Sequence, residues 1–361
     1  MSGYNFAERQ SQFLKNKIAY LKSEHGENSP EYLGLYRQYA KTPQEDEFMP
    51  EDNIKHYEAE VAFHKAEQKH SGMERLYRRS IVIEPTMTCI SHCRYCLRSN
   101  YPRYTLTEPQ LVEIAKYCGN DENRDNLHEV LISGGDPLII PKRIDFLLEA
   151  LIEYAPNIKI ARIATRIPTQ DPERIDDDVL NIFQNKPSLR FELATQINHP
   201  VELSFDETRL AFSKILQLGV TIYSQNVLLK GINDNLPILI DLYDAMRENG
   251  IESHYLFHAI PMRGTHHFRT SVNKGIQLAR ELTNSGVISG RVKPMFAAMT
   301  DIGKITFYEG TIKENNKGYL LLQSGYRLQD RTAWNPTYAI PQSAKLDENG
   351  FLQVWYRDGE D

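Results

Sequence analysis

After about residue 78 the chain alternates short runs of β-branched and apolar residues with longer amphipathic stretches. The runs at 80–85 (SIVIEP), 129–135 (EVLISGG), 158–165 (IKIARIAT), 189–195 (LRFELAT), 220–229 (VTIYSQNVLL) and 254–260 (HYLFHAI) read as six strands. Between them, 108–118, 144–155, 172–184, 207–219 and 236–250 carry apolar residues at helical spacing. Such alternation predicts a parallel sheet with right-handed crossovers, and six units suit an open or partial (β/α)6 barrel.

The flanks read differently. Residues 6–23, 29–41 and 53–70 are helical and strongly polar, and Ser29 with Pro30 makes a helix start. This N-terminal helical extension, 1–75, reads either as a cover or subunit contact for a barrel rim or as helical decoration, with decoration preferred. The barrel is expected over 76–290. From 291 to 361 the helical signal fades into KITFYEGT, KGYLLLQS and FLQVWYRDG, a C-terminal β-rich extension with turns such as Glu348-Asn349-Gly350.

In a parallel barrel the chemistry sits at the C-terminal ends of the strands. Unusual polar residues collect there: Ser133-Gly134-Gly135-Asp136, Thr165-Arg166, Thr195 to His199, and Gln225-Asn226. Composition narrows the class. Hydrophobic residues make up 41% and charged residues 25% of the 361, as in ordinary globular proteins. The net charge of -6 argues against a nucleic-acid footprint, and no run is apolar and long enough for a signal peptide or a membrane span. A cytoplasmic protein with small-molecule partners is expected.

Three of the four cysteines fall within eight residues, directly after the first strand: Cys89, Cys93 and Cys96, spaced C-x3-C-x2-C. That is a poor disulfide framework and a good metal cradle for a reducing compartment. Three thiolates on a [4Fe-4S] cluster leave one iron open, where S-adenosylmethionine (SAM) can chelate and be split by one electron. A ferredoxin would show C-x2-C-x2-C with a fourth cysteine before proline. His92 could complete a zinc set, but its place inside the loop makes tetrahedral ligation awkward. Cys118, on a helical pattern, reads as a buried structural thiol.

The cysteine spacing, with Tyr95 before the last thiol, resembles the radical SAM superfamily. The resemblance implies that Tyr95 packs on the SAM adenine, where an aromatic barrel plug is the plainer reading. It implies that Ser133, Gly134, Gly135 and Asp136 bind SAM through the strand edge, where Gly-Gly-Asp alone signals only a turn. Longer strings resemble the lysine 2,3-aminomutase family within it: CRYCLR (93–98), LISGGDPL (131–138), RIATRIP (162–168), TQINHPVEL (195–203), QNVLLKGIND (225–234) and GTHHFRTSVNKG (264–275).

That family combines SAM cleavage with pyridoxal 5′-phosphate (PLP). Carried over residue by residue, Arg98 grips a substrate carboxylate, as a planar guanidinium can, or else forms a structural ion pair. Tyr77 lies near PLP, Gln225 at the SAM and PLP site, and Lys304 in Asp301-Ile302-Gly303-Lys304 is the PLP lysine or an exposed turn. Asp301 stands for one of two acids that hold a distal ammonium, while Ile260 occupies the other position. No zinc-binding cysteines follow Cys118, and the last seventy residues have no likeness to the family.

The resemblance thus implies a radical SAM barrel carrying a [4Fe-4S] cluster, SAM and PLP. The expected activity is a 2,3-aminomutase whose deoxyadenosyl radical abstracts a substrate hydrogen before the amino group migrates from C2 to C3. Dehydration, oxidation or epimerisation on the same scaffold is the alternative, and a non-catalytic iron-sulfur protein is the rival from another class. An amino-acid substrate and a flavodoxin- or ferredoxin-type reductant are the expected partners, with homo-oligomer formation left open.

Overall fold

The structure, a computed structural model, describes residues 6–47, 72–99 and 103–361. The expected helix at 53–70 lies outside the described residues. Nine strands form one sheet in chain order: β1 (Met73–Glu74), β2 (Ser80–Thr86), β3 (Glu129–Gly134), β4 (Ile160–Ala164), β5 (Arg190–Thr195), β6 (Thr221–Leu228), β7 (Glu252–His258), β8 (Met295–Thr300) and β9 (Gly303–Thr306). From β2 to β8 neighbours run parallel, and β1 and β9 are antiparallel edges. The sheet curls into a half barrel.

The six expected strands are β2 to β7. Two strands past residue 290, β8 and β9, continue the barrel sheet instead of opening the C-terminal extension. A second antiparallel sheet follows, ordered β10 (Ile312–Asn316), β11 (Tyr319–Arg327), β13 (Phe351–Arg357) and β12 (Ala344–Leu346). Its Leu320, Leu322, Val354 and Tyr356 join the core that underlies the barrel.

Side chains alternate across a strand, so the register divides the barrel sheet into two faces. Ile81, Ile83, Val130, Ile132, Ala161 and Ile163 share the outer face and pack under helices Glu108–Gly119 and Pro141–Tyr154. Cys118 is buried among them, and burial pushes its thiol up to about 12, as befits a structural cysteine. The inner face carries Glu84, Arg162, Glu192, Tyr223, Gln225 and, across the β8–β9 pair, Lys304. The lumen is therefore polar where the outer face is aliphatic.

The N-terminal helices cover the rim, so the preferred decoration reading gives way. Ser11 caps Gln12–His25 by accepting from Leu14 N, and Ser29 caps Pro30–Tyr36 by accepting from Tyr32 N. Leu14, Ile18 and Leu21, on one helical stripe, pack with Leu35 and Tyr39 against Val201 and Phe205 beyond β5. The half-buried Cys93 leans on the same cluster.

Candidate cluster and lumen site

Beyond β2 the chain loops over the barrel mouth with Cys89, Cys93 and Cys96, all free and half-buried. The loop lies directly on the end of β3. Gly135 N donates to Thr86 O at 2.7 Å and Asp136 N to Thr88 O at 2.9 Å. A Cβ on Gly135 would fall 2.2 Å from Thr88 O, and one on Gly134, whose φ is +103°, 2.4 Å from Thr86 O. Only glycine allows backbones to approach so closely. The Asp136 carboxylate accepts from Thr165 Oγ1 at 2.8 and 2.9 Å, Arg166 N at 2.8 Å and Leu138 N at 3.1 Å. Burial outweighs those bonds and raises it to about 6.

The outer side of the loop is held by the N-terminal segment. His92 N donates to Arg9 O at 2.8 Å, His92 Nδ1 lies 2.7 Å from Ala7 O, and the ring stacks on Phe6 at 4.6 Å. Arg94 donates through Nε to Glu45 Oε1 at 2.9 Å and through Nη2 to Phe6 O at 2.9 Å, with Arg94 and Glu45 both fully buried. Among the described residues no three Cys, His, Asp or Glu side chains converge on a single-ion site. His92 gives its Nδ1 to Ala7 O and its ring to Phe6, and so braces the loop.

The inner side of the loop meets a buried polar network. Arg166, at the end of β4, donates through Nη1 to Cys93 Sγ at 2.9 Å and to Tyr95 OH at 2.5 Å. Through Nη2 it donates to Glu202 Oε2 at 2.5 Å and Gln38 Oε1 at 3.1 Å. Asn198 Nδ2 donates to Tyr95 OH at 2.6 Å, and that hydroxyl donates on to Gln38 Oε1 at 3.0 Å. Tyr95 is thus fixed at its polar end, with its ring edge-on to Phe268 at 5.9 Å. Gln38 and Glu202 were not singled out from sequence. Arg166 and Asn198 did stand among the polar strand-end residues, but nothing local to them disclosed their partners.

Electrostatics tests whether the cradle fits a cluster. Burial first, then Cys96, Asp136 and Cys93, push the Cys89 thiol well above its ordinary value, and burial with Cys93 raises Cys96. Burial disfavours bare charge on Cys89 and Cys96, and a cationic iron core would supply the charge that lets such sulfurs bind as thiolates. The residues fit a [4Fe-4S] cluster. By alternation along β3 and β6, Ser133 and Gln225 fall on the lumen face of the sheet.

Deeper in the lumen, Lys304 Nζ lies 5.0 Å over the Tyr255 ring, 5.9 Å over Phe257 and 6.0 Å over Tyr77. Burial first, then Arg162, lowers its amine to about 8, against the pull of Glu129. Lys304 N donates to Tyr77 OH at 3.3 Å, and Tyr326 OH donates to Lys304 O at 2.7 Å. The structure brings Tyr77 and Lys304 together across 227 positions. An amine so placed fits the aldehyde of PLP.

Arg98 is otherwise engaged. Its Nε donates to Glu84 Oε1 at 2.6 Å, Nη2 lies 3.9 Å from Glu74 Oε2, and Tyr104 OH donates to Glu84 Oε2 at 3.3 Å. Arg162 is likewise bracketed by Glu129 at 3.0 Å and Glu192 at 3.3 Å. Asp301, at the β8–β9 turn, accepts from Ser343 Oγ, and burial raises its carboxyl. Sequence reasoning did not reach Glu84, Glu129, Arg162 or Glu192, whose shared lumen face appears only once the strands are in register.

Comparison with known proteins agrees with this arrangement. The Radical SAM superfamily model matches residues 83–262. A putative L-lysine 2,3-aminomutase from Aquifex aeolicus is 30% identical over 66% of this chain and 64% of its own. The Escherichia coli L-lysine 2,3-aminomutase is 32% identical over 64% of this chain and 67% of its own, and that of Clostridium subterminale 29% identical over 62% and 53%. The chain spans about half to two thirds of the length of these relatives. A solved radical SAM methyltransferase from Sphaerobacter thermophilus aligns over 64% of this chain and 69% of its own at 15% identity with a TM-score of 0.48. With its three thiols on the β2 loop, a half barrel behind them and the Escherichia coli relative 32% identical over 67% of its own length, the chain belongs to the radical SAM superfamily, in its lysine 2,3-aminomutase-like family.

Proposed function

We propose that this protein is a PLP-dependent radical SAM aminomutase that moves the amino group of an α-amino acid from C2 to C3. The observation that carries the reading is Lys304, a lumen amine lowered to about 8 inside an aromatic wall and facing the barrel that the cysteine loop caps. When bound, the cluster supplies the electron that splits SAM, and PLP supplies an aldehyde that takes up the substrate amine. Cys89, Cys93 and Cys96 would hold the cluster. Ser133, Gly134, Gly135, Asp136, Gln225 and Tyr95 are assigned to SAM, and Lys304 with Tyr77 to PLP.

The chain's own side chains then have definite tasks. Lys304, neutral in an appreciable fraction at pH 7 to 8, can give up and recover its amine hydrogen at Nζ. Tyr77, Tyr255 and Phe257 keep water from it. Arg98 is assigned to the substrate carboxylate, for which it must exchange Glu84, and Asp301 is assigned to a distal group of the substrate. Electrons come from a flavodoxin- or ferredoxin-type reductant in the cytoplasm, a setting supported by four free cysteines and by the absence, among the described residues, of a helix long and apolar enough to cross a membrane.

The Arg98–Glu84 pair favours a second reading, in which the same scaffold dehydrates, oxidises or epimerises a substrate whose acid group this arginine does not grip. Anaerobic reconstitution with SAM, dithionite and a panel of amino acids decides between them. The aminomutase reading expects 5′-deoxyadenosine together with a β-amino acid, and SAM cleavage without amino-group migration on any substrate sinks it. Loss of protein-bound pyridoxal absorbance in Lys304→Ala supports the lysine assignment, and an unchanged signal removes it.

A further inference from the structure

Among the described residues Cys93 is the cluster thiol that receives side-chain N–H bonds. Arg166 Nη1 donates to its sulfur at 2.9 Å and Gln170 Nε2 at 3.4 Å. Neither donor is there by accident of a mobile surface. Arg166 is locked by Glu202, Gln38 and Tyr95, and Glu202 is locked in turn by Gln38 Nε2 at 3.0 Å, Asn198 N at 2.7 Å and His199 N at 3.1 Å. Gln170 also donates to Tyr39 OH at 3.4 Å, and its own carbonyl accepts from Ser11 Oγ. Three of these anchors, Ser11, Gln38 and Tyr39, come from the N-terminal extension.

We propose that Arg166, supported by Gln170, is a positioning residue that sets the reduction potential of the cluster through the Cys93 sulfur. Reduction adds one electron to the iron-sulfur core, and part of that charge resides on the thiolate sulfurs. N–H donors aimed at such a sulfur stabilise the reduced form more than the oxidised one, and a cationic donor does so most. Arg166 is fixed before the electron arrives, so the stabilisation requires no rearrangement. The N-terminal extension thereby acts on the cluster without touching iron. The inference needs the cluster and holds whichever product the lumen makes.

The test is an EPR-monitored redox titration of the reconstituted full-length protein without SAM. Because Arg166→Gln alone strands the buried Glu202 carboxylate, the main variant is the double substitution Arg166→Gln/Glu202→Gln, with Arg166→Lys and Gln170→Leu beside it. The double variant should show at least a tenfold fall in the ratio of reduced to oxidised cluster at a fixed potential, equal to about 59 mV for one electron. Gln170→Leu should fall in the same direction by less, and Arg166→Lys should recover part of the loss. A full complement of iron and sulfide with an unchanged ratio in the double variant overturns the proposal, leaving Arg166 as a brace. So does weakened SAM binding at an unchanged potential. Where the double variant does not load a cluster, Gln170→Leu decides, and an unchanged ratio there overturns it equally.

Discussion

The Arg98 guanidinium donates its Nε–H to Glu84 Oε1 at 2.6 Å, although Glu84 is only 3% exposed and stands on a strand between Ile83 and Pro85. An arginine expected to await a substrate carboxylate already holds one. Removing Arg98 takes from the buried Glu84 its charged partner and leaves it the Tyr104 hydroxyl, and the loss is of order 3 kcal/mol for pairs of this kind. Arg98→Ala should therefore lower stability by about 2–4 kcal/mol in denaturant titration while iron content is kept. The double variant Arg98→Leu/Glu84→Leu should recover most of that loss. If Arg98 grips substrate, Glu84→Gln should lower KM for an amino acid several-fold, and an unchanged KM would remove the arginine from substrate binding.

Lys304 gives a pH signature. Its folded value of about 8 lies below the ordinary 10.5, so between those values the unfolded chain binds more protons. Stability then rises with pH from about 8 to 10.5, and below 8 the full penalty of a buried ammonium is present. Lys304→Met should be the more stable protein at pH 7, by an amount on the order of 2 kcal/mol, and the gap should close by pH 10.5. Thermal melts of both proteins across that range measure it. PLP uptake, followed by absorbance, should have its midpoint near pH 8 and not above 10.

Gly135→Ala is expected to separate two backbones. Its Cβ would sit 2.2 Å from Thr88 O, the residue before the first cluster cysteine, where no flexible side chain can yield. Iron per chain should fall by half or more after reconstitution, and Tm should fall by several degrees, in keeping with about 1–3 kcal/mol of strain. Iron content equal to wild type would show that the loop does not need this contact.

Tyr326→Phe tests the C-terminal sheet. Tyr326 OH donates to Lys304 O at 2.7 Å and lies 3.5 Å from Tyr77 OH, while buried Arg331, stacked over Tyr326 at 4.7 Å, donates to Ile302 O. The variant should lose about 1 kcal/mol of stability and raise the apparent dissociation constant of PLP several-fold, with cluster content unaltered. Equal affinity would separate this sheet from the lysine.

What was legible in the sequence was whatever repeats locally. Alternation marked β2 to β7, and three cysteines in eight residues marked the cradle. β8 was missed because MFAAMT lacks β-branched residues until its last position, and its strand identity comes from Phe257 and Thr306 on either side. Arg166 and Glu202 are 36 residues apart, and only burial of both makes them a pair. The Tyr77–Lys304 contact was reached through the family likeness, since no periodicity links positions 227 apart. Glu84 went unread because nothing in SIVIEP says that its glutamate faces an arginine.

The bonds to Cys93 and Tyr95 also order events in time. Their donors and anchors extend to Glu202, about a hundred residues past Cys96. A ribosome adding 5–20 residues per second needs roughly 5–20 s to cover that stretch. Throughout it the loop emerges before the donors to Cys93 and Tyr95 have all been anchored. The Arg166 bond to the Cys93 sulfur, in the anchored form the barrel shows, therefore belongs only to a chain that has been made as far as Glu202.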